Sequence, residues 1–146
     1  MLKNFLDVLR DLSEENAEFL VVGAYAMAAH GHVRATGDLD IWVGHAPENA
    51  ERVYAGLARF GAPLSRIQPK NFAEPDVVFQ MGIAPNRVDI LTSIDGVEFH
   101  EAWKHRIIGT VLGMRYPVIG REHLKMNKKA TARPKDLQDL AILEGH

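Results

Sequence analysis

The feature that most constrains the fold is a series of short apolar runs separated by helix-forming segments. The run Phe19–Val22 is continuous and ends at Gly23, which is typical of a buried strand that leads into a tight turn. An alanine-rich segment then continues to Gly31, and a second apolar run follows at Leu39–Val43. Because runs of four or five residues are shorter than most helices that cover a core, both runs predict strands.

Amphipathic segments flank these strands. Residues 2–16 place leucine and phenylalanine at helical spacing with charged residues between them, which predicts a first helix. The alanine-rich segment 24–31 predicts a second helix, closed by its glycine. A third helix is expected to begin at Pro47 and end at Gly61.

Strand pairs and two further helices follow along the chain. The runs 76–81 and 87–91 flank a turn-like tetrapeptide and predict an antiparallel hairpin, and residues 106–118 contain two further β-prone runs. Helices are expected around 121–130 and 134–143. Because strands and helices alternate early and hairpins follow, the expected fold class is a small α/β (α+β) domain with a mixed sheet flanked by helices.

A length of 146 residues fits one domain over 1–146, with a core at 18–118 and a C-terminal helical segment at 120–144. With 17 Lys and Arg against 19 Asp and Glu, the formal charge is −2, which disfavours indiscriminate binding to nucleic acid or membranes. The chain has no cysteine, so a thiolate zinc site and a cysteine nucleophile are excluded. No apolar stretch is long enough for a membrane span and no signal peptide is recognisable, so a cytoplasmic protein is expected.

Three aspartates interrupt the apolar runs. Asp38 and Asp40 are two residues apart on one strand, so their carboxylates lie side by side on the same face. Asp89 lies within another apolar run, where a carboxylate is costly unless it serves a purpose. If the two strands are neighbours, the three carboxylates form a cluster with the oxygen ligands that Mg²⁺ or Mn²⁺ prefers. The alternative is a set of solvated carboxylates on an exposed strand face.

The turn Gly23-Ala24 carries the second signal. Small residues between a strand and a helix allow a phosphate group to approach backbone N–H groups. The alternative is a simple strand-to-helix turn. A phosphate-binding turn beside a carboxylate–metal cluster is typical of enzymes that catalyse phosphoryl or nucleotidyl transfer.

The C-terminal segment carries the third signal, an excess of basic residues. Between Arg121 and Lys135 the only acidic residue is Glu122, and three lysines share one helix face by their spacing. These are Lys125, Lys128 and Lys129. The alternative is a solvated basic face, and Asp136 and Asp139 could hold these lysines or face water.

In combination, these motifs resemble the DNA polymerase beta-type nucleotidyltransferase superfamily. The pieces are Val22-Gly23-Ala24, Asp38-Leu39-Asp40-Ile41 and Val88-Asp89-Ile90. The segments Arg34-Ala35-Thr36, 125–129 and 133–137 are similar to the minimal bacterial branch that includes abortive-infection AbiE-type toxins. The chain departs from the family in Ala24, because the family favours glycine or serine at that position of the turn.

The resemblance implies a nucleotidyltransferase that moves a nucleoside monophosphate from an NTP to an acceptor hydroxyl and releases pyrophosphate. Asp38, Asp40 and Asp89 are then the catalytic residues and the ligands of Mg²⁺ or Mn²⁺. The acceptor is RNA, a protein or a small molecule. A toxin–antitoxin or phage-defence role, with an antitoxin-like partner protein, is implied in the same way.

The resemblance also implies which residues bind the nucleotide. Gly23 and Ala24 would accommodate the phosphates, and Arg34 and Thr36 would contact phosphate or acceptor, with a surface salt bridge as the alternative for Arg34. Lys125 or Lys129 would bind the nucleotide's phosphates. Two alternatives remain: a catalytically silent binding or regulatory module of the same fold, which Ala24 would favour, and a metal-dependent phosphohydrolase.

Overall fold

The computed structural model describes residues 2–33, 37–83 and 86–145. The helices are α1 (Leu2–Glu14), α2 (Gly23–Ala29), α3 (Pro47–Phe60), α4 (Phe99–Lys104), α5 (Arg121–Thr131) and α6 (Pro134–Leu143), with a 3-10 helix at Pro69–Ala73. The strands are β1 (Phe19–Val22), β2 (Leu39–Val43), β3 (Val78–Met81), β4 (Val88–Leu91), β5 (Ile107–Val111) and β6 (Met114–Val118).

The strands form one mixed sheet in the order β3-β4-β2-β1-β6-β5. The pairs β2–β4 and β1–β6 are parallel, and the other neighbours are antiparallel. The hairpin predicted around residues 76–91 is present as β3 and β4. A six-stranded mixed sheet flanked by helices confirms the expected fold class.

Strand β2 shows how the sheet separates core from site. Leu39, Ile41 and Val43 are fully buried, and alternation along the strand directs Asp40 to the opposite face. Helices α1 and α3 pack so closely that a Cβ on Gly56 would lie 3.0 Å from the Leu12 Cα. Because a slip of β2 by one residue would expose its buried apolar side chains, the apolar core fixes the strand register and with it the position of Asp40.

Two elements were not predicted: the 3-10 helix at Pro69–Ala73 and helix α4. Helix α4 has six residues, too few to show a helical period in the sequence. Its position is set by tertiary contacts, because the Phe99 ring packs edge-on against Trp42 at 5.0 Å and stacks on Trp103 at 5.8 Å.

In the part of the chain that the structure describes, no helix combines the length and apolar character that crossing a bilayer requires.

Candidate active site

Strand pairing brings the three predicted aspartates to one place. In the parallel pair β2–β4, Asp40 lies opposite Asp89, and in the antiparallel pair β1–β2 it lies opposite Val22. Asp38 precedes β2 on the same side as Asp40. Asp38, Asp40 and Asp89, which we call the carboxylate cluster, all line one cavity of about 380 Å³.

Gly23 leaves room for this cluster. Its φ of +69° is a left-handed conformation that L side chains rarely adopt. A Cβ built on Gly23 would overlap the Oδ2 atom of Asp40. Glycine is therefore required at this turn for two reasons: the backbone is left-handed there, and a side chain would collide with the Asp40 carboxylate.

The cluster perturbs the ionisation of its central member. Burial, together with the neighbouring Asp89 and Asp38, raises the pKa of Asp40 to about 6, while Arg87 opposes the rise. Carboxylates that are partly removed from water and close together are costly to ionise at once. The cluster therefore requires positive charge.

Arg87 supplies positive charge to the other two carboxylates. Its Nε donates to Asp89 Oδ1 at 2.9 Å and its Nη2 to Asp89 Oδ2 at 3.3 Å. The same Nη2 lies 3.2 Å from Asp38 Oδ2, and the Arg87 backbone N–H donates to Asp38 Oδ1 at 3.2 Å. All four carboxylate oxygens of Asp38 and Asp89 thus contact one arginine.

The chemistry of the cluster fits a divalent cation, since its donors are carboxylate oxygens that already require a counter-charge. As the side chains stand, however, residues 2–33, 37–83 and 86–145 contain no group of three or more acidic or histidine side chains arranged to hold a metal. Instead, the Arg87 guanidinium contacts carboxylate oxygens of both Asp38 and Asp89. Metal binding by the cluster stays a prediction.

The opposite wall of the cavity comes from the α5–α6 region. Lys128, Arg133 and Lys135 line it together with Asp136 and Asp139. The Lys128 Nζ lies 2.9 Å from Asp139 Oδ2 and 3.6 Å from Asp136 Oδ1, and all three residues are buried. The aspartates therefore hold a lysine, as one of the two sequence interpretations expected.

Asp136 is also tied to the start of α6. Arg133 donates to Asp136 Oδ2 from its Nε at 2.7 Å and from its backbone N–H at 3.2 Å. Burial by itself would raise the pKa of Asp136, but hydrogen bonds from Arg133 and Thr131 outweigh it and lower the pKa well below the usual range. Asp136 is therefore ionised at neutral pH and can anchor Lys128.

The other predicted nucleotide-binding residues lie in several places. Gly23 and Ala24 line the cavity, whereas Lys125 and Lys129 do not. The Lys125 Nζ lies 3.5 Å from the Glu122 carboxylate, and Lys129 is exposed on α5. Arg34 and Thr36 lie outside the described residues, so their predicted contacts stay predictions.

Sequence reasoning missed four basic residues of the cavity as site residues: Arg87, Lys128, Arg133 and Lys135. Arg87 was detectable in part, because a residue two positions before Asp89 shares its strand face. The choice of Lys128 among three lysines depends on the packing of α5 against α6, which no local pattern contains.

The fold is similar to that of a solved structure from Thermotoga maritima named a "putative nucleotidyltransferase". The likeness covers 96% of this chain and 90% of that chain, with a TM-score of 0.57 and 18% sequence identity. At this identity the likeness shows that the two chains share a fold, and it does not distinguish the AbiE-type branch. The sequence matches no protein-family model and no curated protein.

The first prediction concerns Asp40. Its pKa of about 6 in the folded protein exceeds the unfolded value near 3.8, so the ionised carboxylate costs stability. This cost is absent below pH ~4, grows between pH ~4 and ~6, and reaches its full size above pH ~6. In metal-free buffer at pH 7.5, Asp40→Asn should therefore raise the free energy of unfolding by about 1–2 kcal/mol.

Urea unfolding at pH 4 and pH 7.5 measures this difference. The matched control is Asp95→Asn, which removes a carboxylate from an exposed residue and should change stability equally at both values. A gain for Asp40→Asn that is the same at both pH values would contradict the prediction.

The second prediction concerns Lys128. Methionine at this position removes the ammonium group that contacts the buried carboxylates of Asp136 and Asp139, so Lys128→Met should lower the free energy of unfolding by about 3–5 kcal/mol. The matched control on the same helix is Lys129→Met, whose exposed side chain predicts a change within about 0.5 kcal/mol. Equal losses for the two variants in urea unfolding would show that the buried lysine does not stabilise α6.

Proposed function

We propose that this protein is a metal-dependent nucleotidyltransferase that transfers a nucleoside monophosphate from an NTP to an acceptor hydroxyl and releases pyrophosphate. The observation that carries the proposal is the convergence of three aspartates and a glycine turn at one cavity, faced by basic residues from α5 and α6. The likeness to the Thermotoga maritima structure supports it at the level of the fold.

The charge of the cavity favours metal dependence. Its described lining contains five carboxylates and four cationic side chains, so by itself it does not attract a polyanion. The carboxylates belong to Asp38, Asp40, Asp89, Asp136 and Asp139, and the cations to Arg87, Lys128, Arg133 and Lys135. Divalent cations on the carboxylate cluster would reverse this balance and allow a triphosphate to enter.

In this proposal Asp38, Asp40 and Asp89 would hold the metal ions. Bound there, a divalent cation supplies charge neutralisation of the triphosphate and lowers the pKa of the acceptor hydroxyl. Gly23 provides space rather than a helix dipole, because α2 has only seven residues. Lys135 is the cation best placed to bind phosphate, since Lys128 and Arg133 are already paired with buried aspartates.

The acceptor class in the proposal is a hydroxyl of RNA, a protein or a small molecule. The resemblance of 125–129 and 133–137 to AbiE-type toxins supports, within this proposal, a toxin–antitoxin or phage-defence setting with an antitoxin-like protein as partner. A cytoplasmic location is part of the same proposal.

The third prediction is transfer of label from α-phosphate-labelled NTPs. With Mg²⁺ or Mn²⁺ present, each of four NTPs is offered with total RNA, a lysate and the protein itself as acceptors. We expect one acceptor to gain label, with pyrophosphate released in equal amount. Asp40→Asn should reduce the rate by at least about a hundredfold because it removes a metal ligand, whereas Asp95→Asn should not.

Other products would point to other reactions. Label transfer that persists in Asp40→Asn would contradict the assignment of the cluster as the active site. Release of inorganic phosphate without labelled acceptor would favour the phosphohydrolase.

A specific observation favours the second candidate, a catalytically silent binding module. Arg87 contacts all four oxygens of Asp38 and Asp89, and Ala24 lacks a hydroxyl that could bind phosphate. Calorimetry of NTP binding with and without Mg²⁺ separates the candidates. A silent module binds NTP weakly and does not respond to Asp40→Asn, whereas an enzyme requires both the metal and the carboxylate.

The fourth prediction concerns which lysine meets the nucleotide. Lys135 lines the cavity and Lys129 does not, so Lys135→Ala should weaken Mg–NTP binding about tenfold while Lys129→Ala leaves it unchanged. Calorimetry with one NTP in excess Mg²⁺ measures both. The reverse order would support the sequence prediction that Lys129 binds the phosphates.

A further inference from the structure

We propose that Arg87 is a displaceable counter-cation of the carboxylate cluster: its guanidinium holds Asp38 and Asp89 in the metal-free protein and leaves them when a divalent cation binds. The inference rests on the proposed function only in taking the cluster as a metal site. It assigns Arg87 a positioning role that neither the strand pattern nor the fold implies.

The hydrogen bonds of Arg87 leave little for a metal to bind. Both oxygens of Asp89 accept from the guanidinium, and Asp38 Oδ2 lies within 3.2 Å of it. The remaining Asp38 oxygen accepts from the Arg87 backbone N–H. A metal that uses Asp38 and Asp89 as ligands must therefore replace the guanidinium, since the same oxygen lone pairs serve both.

The backbone of Arg87 is held by hydrogen bonds that do not involve its guanidinium. Its carbonyl accepts from the Leu39 N–H at 2.9 Å, and its own N–H donates to Asp38, so the main chain is fixed between β2 and β4. The side chain is 32% exposed and lines the cavity of about 380 Å³. The guanidinium can therefore leave the carboxylates by rotating about its side-chain bonds while the strands keep their register.

Displacement of Arg87 also increases the positive charge that the cavity can offer to a polyanion. While Arg87 is paired, its positive charge is neutralised by Asp38 and Asp89. Once a metal ion takes its place, the guanidinium is free to interact with other anions in the cavity. Of the three other cations in the described lining, Lys128 and Arg133 stay paired with aspartates of α6. Metal binding and polyanion binding are then positively coupled through Arg87, and the coupling is reciprocal.

The first test measures Mn²⁺ binding by electron paramagnetic resonance, without nucleotide, in the wild type and in Arg87→Gln. Removing the competing guanidinium should tighten Mn²⁺ binding about tenfold or more, since its three charge-assisted contacts with Asp38 and Asp89 no longer have to break. Arg115→Gln is the matched control, because the Arg115 guanidinium donates to the Ile108 carbonyl and does not line the cavity. It should bind Mn²⁺ as the wild type does.

The second test follows the arginine itself and uses only wild-type protein for its titration. The ¹⁵N–¹H resonance of the Arg87 Nε, identified by its absence in Arg87→Lys, should lose its ion-paired shift as Mg²⁺ is added. A merely structural arginine would keep that shift at Mg²⁺ concentrations that saturate the site. This measurement remains decisive if Arg87→Gln does not fold.

The outcomes separate this inference from the proposed function. Equal or weaker Mn²⁺ binding by Arg87→Gln, or an Nε resonance unchanged at saturating Mg²⁺, overturns the displacement but leaves metal-dependent transfer standing. If Arg87→Gln binds Mn²⁺ and the wild type does not, the result supports the displacement and favours the silent module. If neither protein binds Mn²⁺, with or without NTP, both the displacement and the proposed function are wrong.

Discussion

The mutual repulsion of three carboxylates is the constraint on which the rest of the site depends. Parallel pairing of β2 with β4 fixes Asp40 beside Asp89, and the buried leucine and isoleucine of β2 prevent the strand from slipping. The apolar core thus supplies the free energy that holds like charges together. Every cation near the cluster, whether Arg87 or a metal ion, acts against a repulsion that the sheet imposes.

The two walls of the cavity solve their electrostatic problems differently. On the sheet side, Arg87 is 32% exposed and reaches the carboxylates from the open cavity. On the helical side, Lys128 is buried with Asp136 and Asp139, where separation of the charges would leave them without water. The exposed Arg87 on the sheet side can therefore leave its carboxylates at lower cost than the buried Lys128 on the helical side.

The parts of the fold and site that local patterns encode were predictable from the sequence. Strands Phe19–Val22 and Leu39–Val43 were predicted at their observed bounds, because continuous apolar runs between turn residues leave few alternatives. The meeting of Asp40 with Asp89 was a conditional expectation, since it requires β2 and β4 to be neighbours. Arg87 and Lys128 escaped prediction because their partners are set by strand register and by helix packing, which appear only in three dimensions.

Gly23 has a consequence for the evolution of such chains. Its missing Cβ makes space for the Asp40 carboxylate, so positions 23 and 40 are sterically linked although they are seventeen positions apart in the sequence. A lineage that acquires a side chain at 23 must move or lose the carboxylate at 40, and a left-handed backbone penalises the new side chain as well. The residue at position 23 can therefore be read across relatives as a marker of whether the cluster survives.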